Sequence, residues 1–400
     1  MAASGAIRAA IFPSGCRAMT CRPLARPLAA ALAVALAAIA APAAAEVPLF
    51  KAGDTAVSLE GLLQYDGNWF HDDIADLDGD PFDDDSSEYA VRRAEVAIKG
   101  ASAGSFSWAL GYDFAAEKFL DAYGAWKFDS GTTLTVGQSK VPLGLEALGS
   151  SRTHDFIAVS SASMFSLGRR LGLKAQHTTG DWTFAAAAFG REYGDDAARG
   201  GGFAARAAWA PIDGDGRLLH LGAAIADSDT DADTLRLRAR PQADLAVVRL
   251  ADAGTMRDAD RLRAFGLEGA WITGPVKLQG EWLHGRVDRY GPTGDFDADA
   301  GYLSAVWNLT GETWSYKAGT IGTPSPAAAR GLWQLGARLD HVNLDDGPIA
   351  GGTMDALTLG VNWYAGRHVR LSANYVRVES ERMGLSDDPH IVEGRVQLHW

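Results

Sequence analysis

Four hundred residues, 47% of them hydrophobic and 22% charged, would suit two or three soluble domains, but no linker, composition break or helical periodicity divides the chain, and one large domain is expected. A formal charge of −13 excludes nucleic acid as a partner. After the N-terminus no apolar run approaches the roughly 20 residues that a membrane helix needs, so any membrane crossing would have to be made by strands.

The chain opens on a targeting pattern. Arg8, Arg17, Arg22 and Arg26 precede the apolar stretch Leu28 to Ala41, then Pro42 and Ala43-Ala44-Ala45, which predicts a secretory signal cleaved after Ala45. The basic region is long, and Met19 would start a signal of more usual length. Without twin arginines, the general secretion route is favoured. Both cysteines, Cys16 and Cys21, lie in this segment, so residues 46–400 offer neither a disulfide nor a thiol ligand. Zinc-thiolate and cysteine-nucleophile chemistry are excluded, and neither a cofactor nor a metal is expected. Loss of the four arginines takes the charge from −13 to −17.

From residue 57 onward the pattern alternates with period two, as in a strand with unlike faces. Val57, Leu59, Leu63, Tyr65 and Trp69 interleave with Ser58, Glu60, Gln64, Asp66 and Asn68. Strands are predicted at 57–69, 89–100, 105–115, 119–128, 132–140, 169–178, 181–191, 202–210, 217–226, 263–273, 275–288, 299–309, 331–341, 353–365, 367–379 and 390–400. That is about sixteen, the even number of a single-chain bacterial barrel. A weaker candidate at 313–320 would leave the chain ends on opposite sides, so 310–330 reads as a long turn. Thr178–Asp181, Ile212–Gly216, Thr273–Pro275 and Ala365–Arg367 read as tight periplasmic turns. The stretches 70–88, 141–168, 227–262 and 289–298 read as extracellular loops, free or folded into the pore.

Alternation alone also fits a soluble sandwich or a β-helix. Three features favour an all-β transmembrane antiparallel barrel. Trp69, Trp126, Trp182, Trp209, Trp271, Trp307 and Trp363 sit at strand ends on the apolar face, suited to headgroups at both interfaces. The other face carries Arg93, Glu95 and Lys99, then Arg170 and Lys174, then Lys277, Gln279 and Glu281 in mid-strand, charges that a dry interior penalises and a water-filled lumen does not. The last strand, Val392 to Trp400, ends in an aromatic and resembles the assembly signal of outer-membrane proteins.

Several words resemble the phosphate-selective porin O/P family of Gram-negative bacteria. They are Val91-Arg92-Arg93-Ala94-Glu95, Gly137 to Glu146, Ser166-Leu167-Gly168-Arg169-Arg170-Leu171-Gly172, Asn308 to Glu312 and Leu359 to Tyr364. The resemblance implies a trimer of sixteen-stranded barrels, with two loops and a long periplasmic turn folded inward to narrow the pore. It also implies that anions move along an arginine ladder to lysines at the constriction. Arg236, Arg238 and Arg240 match the arginine-rich segment of one inward loop, and an extended chain would put all three on one side. Their forked guanidinium groups suit phosphate oxygens, although Asp229, Asp231 and Asp233 could pair with them instead. Lys140 opens the other constriction loop, as a point charge in the pore or a strand-end lysine facing headgroups or the trimer contact; Arg152, Arg169 and Arg170 are similar cases. Arg93, Lys99, Arg170 and Lys174 are further lumen candidates. No dense lysine cluster is present and the last residue is Trp where the family usually has Phe, which leaves a broader anion channel open beside phosphate selection.

Eight aspartates between Asp72 and Asp85 fail EF-hand spacing and read as a solvated loop. His154 beside Asp155, near Ser150 and Ser151, lacks the context of a hydrolase. His220, His284, His368 and His399 read as lumen or interface residues, and the Asn308-Leu309-Thr310 sequon as idle. The expectation is an outer-membrane channel, not an enzyme, passing small anions by passive diffusion, set among lipid and lipopolysaccharide as a homotrimer. The alternative is a structural or adhesive barrel with a plugged lumen.

Overall fold

A computed structural model describes residues 47–80, 86–193, 200–292, 294–324 and 331–400. The expected export signal, with both cysteines, lies outside them. The wall is built of β1 (Thr55–His71), β2 (Ser87–Ser102), β3 (Phe106–Asp113), β4 (Lys118–Lys127), β5 (Thr132–Lys140), β6 (Arg169–Thr179), β7 (Trp182–Phe189) and β8 (Gly202–Gly214). It continues through β9 (Arg217–Asp229), β10 (Ala259–Thr273), β11 (Val276–Arg289), β12 (Phe296–Asn308), β13 (Leu332–Asp346), β14 (Ile349–Tyr364), β15 (Val369–Arg382) and β16 (His390–His399). Each strand pairs antiparallel with the next and β16 returns to β1, so 16 strands close into a barrel. The alternating sequence pattern locates all sixteen. It misses Val47–Ala52, which pairs with the lower part of β1 on the edge that β16 occupies above.

Closure depends on a small residue. Trp400 exchanges both backbone hydrogen bonds with Gly61, and its ring lies where a Cβ on Gly61 would stand, only 2.0 Å away. The tight turns follow their sequence: at Asp215-Gly216 both residues take positive φ, the geometry that suits the twist of a two-residue hairpin.

The two faces of the wall are chemically distinct. In β13, Leu339 is 60% exposed on the outside while its neighbour Arg338 is 1% exposed on the inside. Tryptophan is less evenly distributed than expected: of the seven named above, all but Trp69 gather at the short-turn end. There they stack across adjacent strands, as in Trp182–Trp209 (5.8 Å) and Trp333–Trp363 (5.5 Å). The opposite end is marked by Trp69 against Tyr89 and Trp282 against Phe265.

A uniformly water-filled lumen is not what the wall encloses. On the long-loop side the inner face of β8 to β16 is itself apolar, and Phe296, Val342, Val376 and Ile391 are buried with Leu143, Phe165, Leu237 and Leu250 of infolded loops. The loops supply apolar partners, and burial at about 25 cal/mol per Å² favours their folding inward. Even the aspartate loop takes part: Leu77 is fully buried, and Asp72 and Asp76 accept backbone N–H groups of Leu77 and Gly79.

Replacing Gly61 with Leu should displace Trp400 and lower the temperature at which the fast-migrating folded band is lost on a semi-native gel. Gly104, which faces open space, is the control. Equal behaviour of Gly61→Leu and Gly104→Leu would show that the Trp400 seat does not matter for closure.

Candidate functional site: the loops folded into the lumen

Residues 141–168 leave β5 and cross to the far wall. The short helix α1 (Leu145–Leu148) is held at both ends. Glu281 of β11 accepts the N–H groups of Leu145 (2.5 Å) and Glu146 (2.7 Å), and Lys140 Nζ donates to the carbonyls of Ala147 (2.8 Å), Leu148 (3.3 Å) and Gly149. Anion at the N-terminus and cation at the C-terminus are the arrangement that helix-end charges favour. Beyond α1, Asp155 Oδ2 pairs with Lys277 Nζ at 2.6 Å, and its carbonyl accepts from Asn362 (2.8 Å) and Arg370 (3.1 Å). Arg338 Nη1 donates to Ala158 O at 3.0 Å, and Asp340 accepts the N–H of Ser161.

Glycines on the inner face make room for the loop's two phenylalanines. A Cβ on Gly285 would meet the Phe165 ring at 2.3 Å, and Cβ atoms on Gly336 and Gly360 would approach Phe156 at 3.0 and 3.2 Å. Lys277 and Glu281 are therefore buried beneath the loop and partnered by it, whereas the sequence pattern alone suggests that bulk water solvates them. A dry charge needs a fixed partner, and this loop provides one.

The second inward loop spans 230–258. Its hairpin pairs Arg238 with Asp252 and Ala239 with Ala251, and residues alternate along it: Leu237 and Ala239 are buried, Arg236, Arg238 and Arg240 exposed. The sequence-derived row therefore exists as a row. Asp229 does not neutralise it, because Asp227 and Asp229 are both bound by Arg261. Asp252 instead takes Arg236 (Nε to Oδ1, 2.8 Å), while Arg238 has no acidic partner among the described residues. Arg240 Nε donates to Ala246 O at 2.9 Å. Arg249, which carries no signal in the alternation, joins the group: burial and then the neighbouring charges of Arg240 and Arg238 lower its pKa.

From the tip of this loop Asp244 Oδ2 reaches Arg92 Nε of β2 at 2.7 Å. Register slips there from Gln64 opposite Arg93 to Tyr65 opposite Val91, so Arg92 is the extra residue of a bulge, a device that re-aims a side chain. Arg92 is thereby available beside Arg93, which pairs with Glu95 at 3.2 Å. Lower on the wall, Glu60 holds Lys99 (2.6 Å) and Arg152 (3.3 Å). Arg170 Nε donates to Leu167 O (3.0 Å), Lys174 Nζ to Lys140 O (3.3 Å), and Arg169 pairs with Asp121 (3.0 Å). The structure thus brings Arg236, Arg238, Arg240, Arg249, Arg92 and Arg93 into one basic series. It uses Lys140, Arg170 and Lys174 to hold the ends of the first loop.

The periplasmic turn after β12 also folds inward. Trp314 is buried, Tyr316 OH lies 2.7 Å from His220 Nδ1, and Arg206 Nη2 donates to Gly319 O at 2.7 Å. His220 Nε2 and Arg206 converge on Glu268. Asn308, idle as a sequon, fixes the start of this turn by donating to Glu312 O (2.7 Å) and accepting from Gln334 (2.7 Å). His154 is partly buried and its Nε2 lies 3.2 Å from the carbonyl of Glu146, with Asp155 committed to Lys277. Burial first, then the charges of Lys140 and Arg93, push its pKa well below the usual histidine range, so it is neutral.

Changing Asp155 to Ala strands a buried ammonium and should cost about 3–5 kcal/mol in the attachment of the loop. Limited proteolysis of the folded barrel should cut within 141–168 faster, and Lys277→Met added to Asp155→Ala should restore part of the protection. Unchanged cleavage rates would mean that this pair does not anchor the loop.

Residues 63–400 match the family model of phosphate-selective porin O and P. A 211-residue stretch is 27% identical to Porin O of Pseudomonas aeruginosa, covering 44% of this chain and 48% of that protein. An uncharacterized protein of Caulobacter vibrioides is 26% identical over 363 residues, 82% of this chain and 69% of its own length. Among solved structures, the trimer form of OmpT, an outer membrane protein of Vibrio cholerae, superposes with a TM-score of 0.57 at 10% identity over 86% of this chain and 99% of that one. The anion-selective porin from Comamonas acidovorans gives 0.54 at 13% identity over 86% and 100%. With this coverage and a closed barrel whose loops turn inward, the chain belongs to the phosphate-selective porin O and P family and is an outer-membrane porin.

Proposed function

We propose that this porin passes small anions, phosphate-like oxyanions among them, and that the row Arg236, Arg238 and Arg240 with Arg249, Arg92 and Arg93 draws them in. The observation that carries this reading is the alternation of exposed arginine with buried Leu237 and Ala239, which leaves the guanidinium groups on the open side of a hairpin packed inside the barrel. Guanidinium keeps its charge at any physiological pH, and charges in a low-dielectric channel focus counter-ions. Lys140, Arg170 and Lys174 act by fixing the constricting loop, while Lys99 with Arg152 adds positive charge toward the periplasmic exit. The function is passage rather than catalysis at His154 and Asp155, since the neutral His154 is held by a carbonyl and Asp155 by a lysine.

Residues 1–45 direct export and are removed. Three copies assemble, as in the trimer form of the Vibrio cholerae neighbour. The strands β3, β4, β5 and β7, only 8 to 10 residues long, form a low side of the wall suited to the contact between copies. Above the lipid-facing belt, outward pairs such as Arg263–Asp288 and His341–Asp355 suit the charged headgroups of lipopolysaccharide. A second reading, a closed barrel whose loops bind a partner, draws on the apolar packing inside the long-loop half of the lumen.

Planar bilayers separate the two readings. Open channels with a reversal potential of anionic sign are expected in a salt gradient, and joint replacement of Arg236, Arg238 and Arg240 by Ala should move that potential toward zero. Cation preference in the unaltered protein would contradict the proposal. Absence of conductance from a fully folded sample would support the closed barrel.

A further inference from the structure

Asp244 stands four residues beyond Arg240, where the basic groups of the second loop meet those of the wall. Its carboxylate accepts one side-chain hydrogen bond among the described residues, from Arg92 Nε at 2.7 Å, and its side chain is 18% exposed. Burial alone would raise its pKa, yet Arg92, then Arg395 and Arg93, hold it below the ordinary carboxylate range. Arg240 feels the same carboxylate from the loop side. Other acids nearby have evident structural partners: Asp252 binds Arg236 and the N–H of Gly254, and Asp66 makes a two-pronged pair with Arg395. Asp244 differs in facing several guanidinium groups while bonding to one.

A guanidinium presents the same fork to a carboxylate as to a phosphate. We propose that Asp244 is a tethered counter-anion that determines specificity: it occupies the place a permeating oxyanion would take among Arg92, Arg93 and Arg240, so such ions bind weakly and leave quickly. Conduction needs a site that attracts an ion without retaining it, and a resident carboxylate sets that balance. The same carboxylate broadens the channel toward small anions in general. The inference rests on the anion-channel reading given above.

The test titrates chloride conductance of the full-length folded protein with inorganic phosphate in planar bilayers, for the unaltered chain, Asp244→Asn and Asp244→Glu. Asp244→Asn keeps the shape and removes the charge. It should lower the half-blocking phosphate concentration about tenfold, which corresponds to ~1.4 kcal/mol, and strengthen anion preference, while Asp244→Glu stays near the unaltered protein. Equal phosphate block in the unaltered and Asp244→Asn channels, both conducting and anion-selective, would overturn the proposal while leaving the porin reading intact. An unaltered protein that is closed or cation-selective removes both. If Asp244→Asn does not fold, the pair Arg92→Gln and Arg92→Gln/Asp244→Asn makes the same comparison: tighter block in the double variant is expected, and equality overturns the proposal.

Discussion

Inside a bilayer each backbone N–H and C=O must find its partner within the protein, and a sheet meets that demand only when its last strand returns to its first. In this chain the return is the ladder between β16 and β1, ending where Trp400 lies over Gly61. Closure fixes which residue of each alternating pair faces inward. It thereby creates an enclosed volume whose contents the chain must then supply.

Several segments enter that volume, and two of them are held by charges that the wall could not otherwise bury. Glu281 and Lys140 hold the two ends of α1, Lys277 takes Asp155, and Arg338 with Asp340 receives the segment that follows. On the periplasmic side Glu268 gathers Arg206 and His220 beneath the turn that carries Trp314. Apolar packing in the outer half of the lumen adds a second source of attachment that does not depend on pH or salt. The passage is defined by what these segments leave unfilled; the chain is acidic, yet its inward hairpin exposes arginine.

Much of this was legible in the sequence, because period-two alternation survives wherever one face meets lipid. It located all sixteen strands and the tight turns, and it read 310–330 as a turn and placed Arg236, Arg238 and Arg240 on one side; that a turn there folds inward came only from the family resemblance. It could not show the bulge at Arg92, since an extra residue in a ladder leaves no mark in composition. Nor could it show that Lys277 and Glu281 are dry, since that depends on where a loop of 28 residues, 141–168, comes to rest. Val47–Ala52 escaped for a different reason: it is too short to display a period. Asp244 was invisible because its partner Arg92 lies far away in sequence, and Arg249 because only the fold of its own loop brings it to Arg240 and Arg238.

The proposed guanidinium-lined passage inside the closed wall is tested most directly by anomalous diffraction from crystals of the reconstituted protein grown in bromide. Bromide peaks within the lumen, beside Arg236, Arg238, Arg240 and Arg92, are the expected result. Bromide confined to the outer surface, with the space beside those side chains filled by protein, would contradict it.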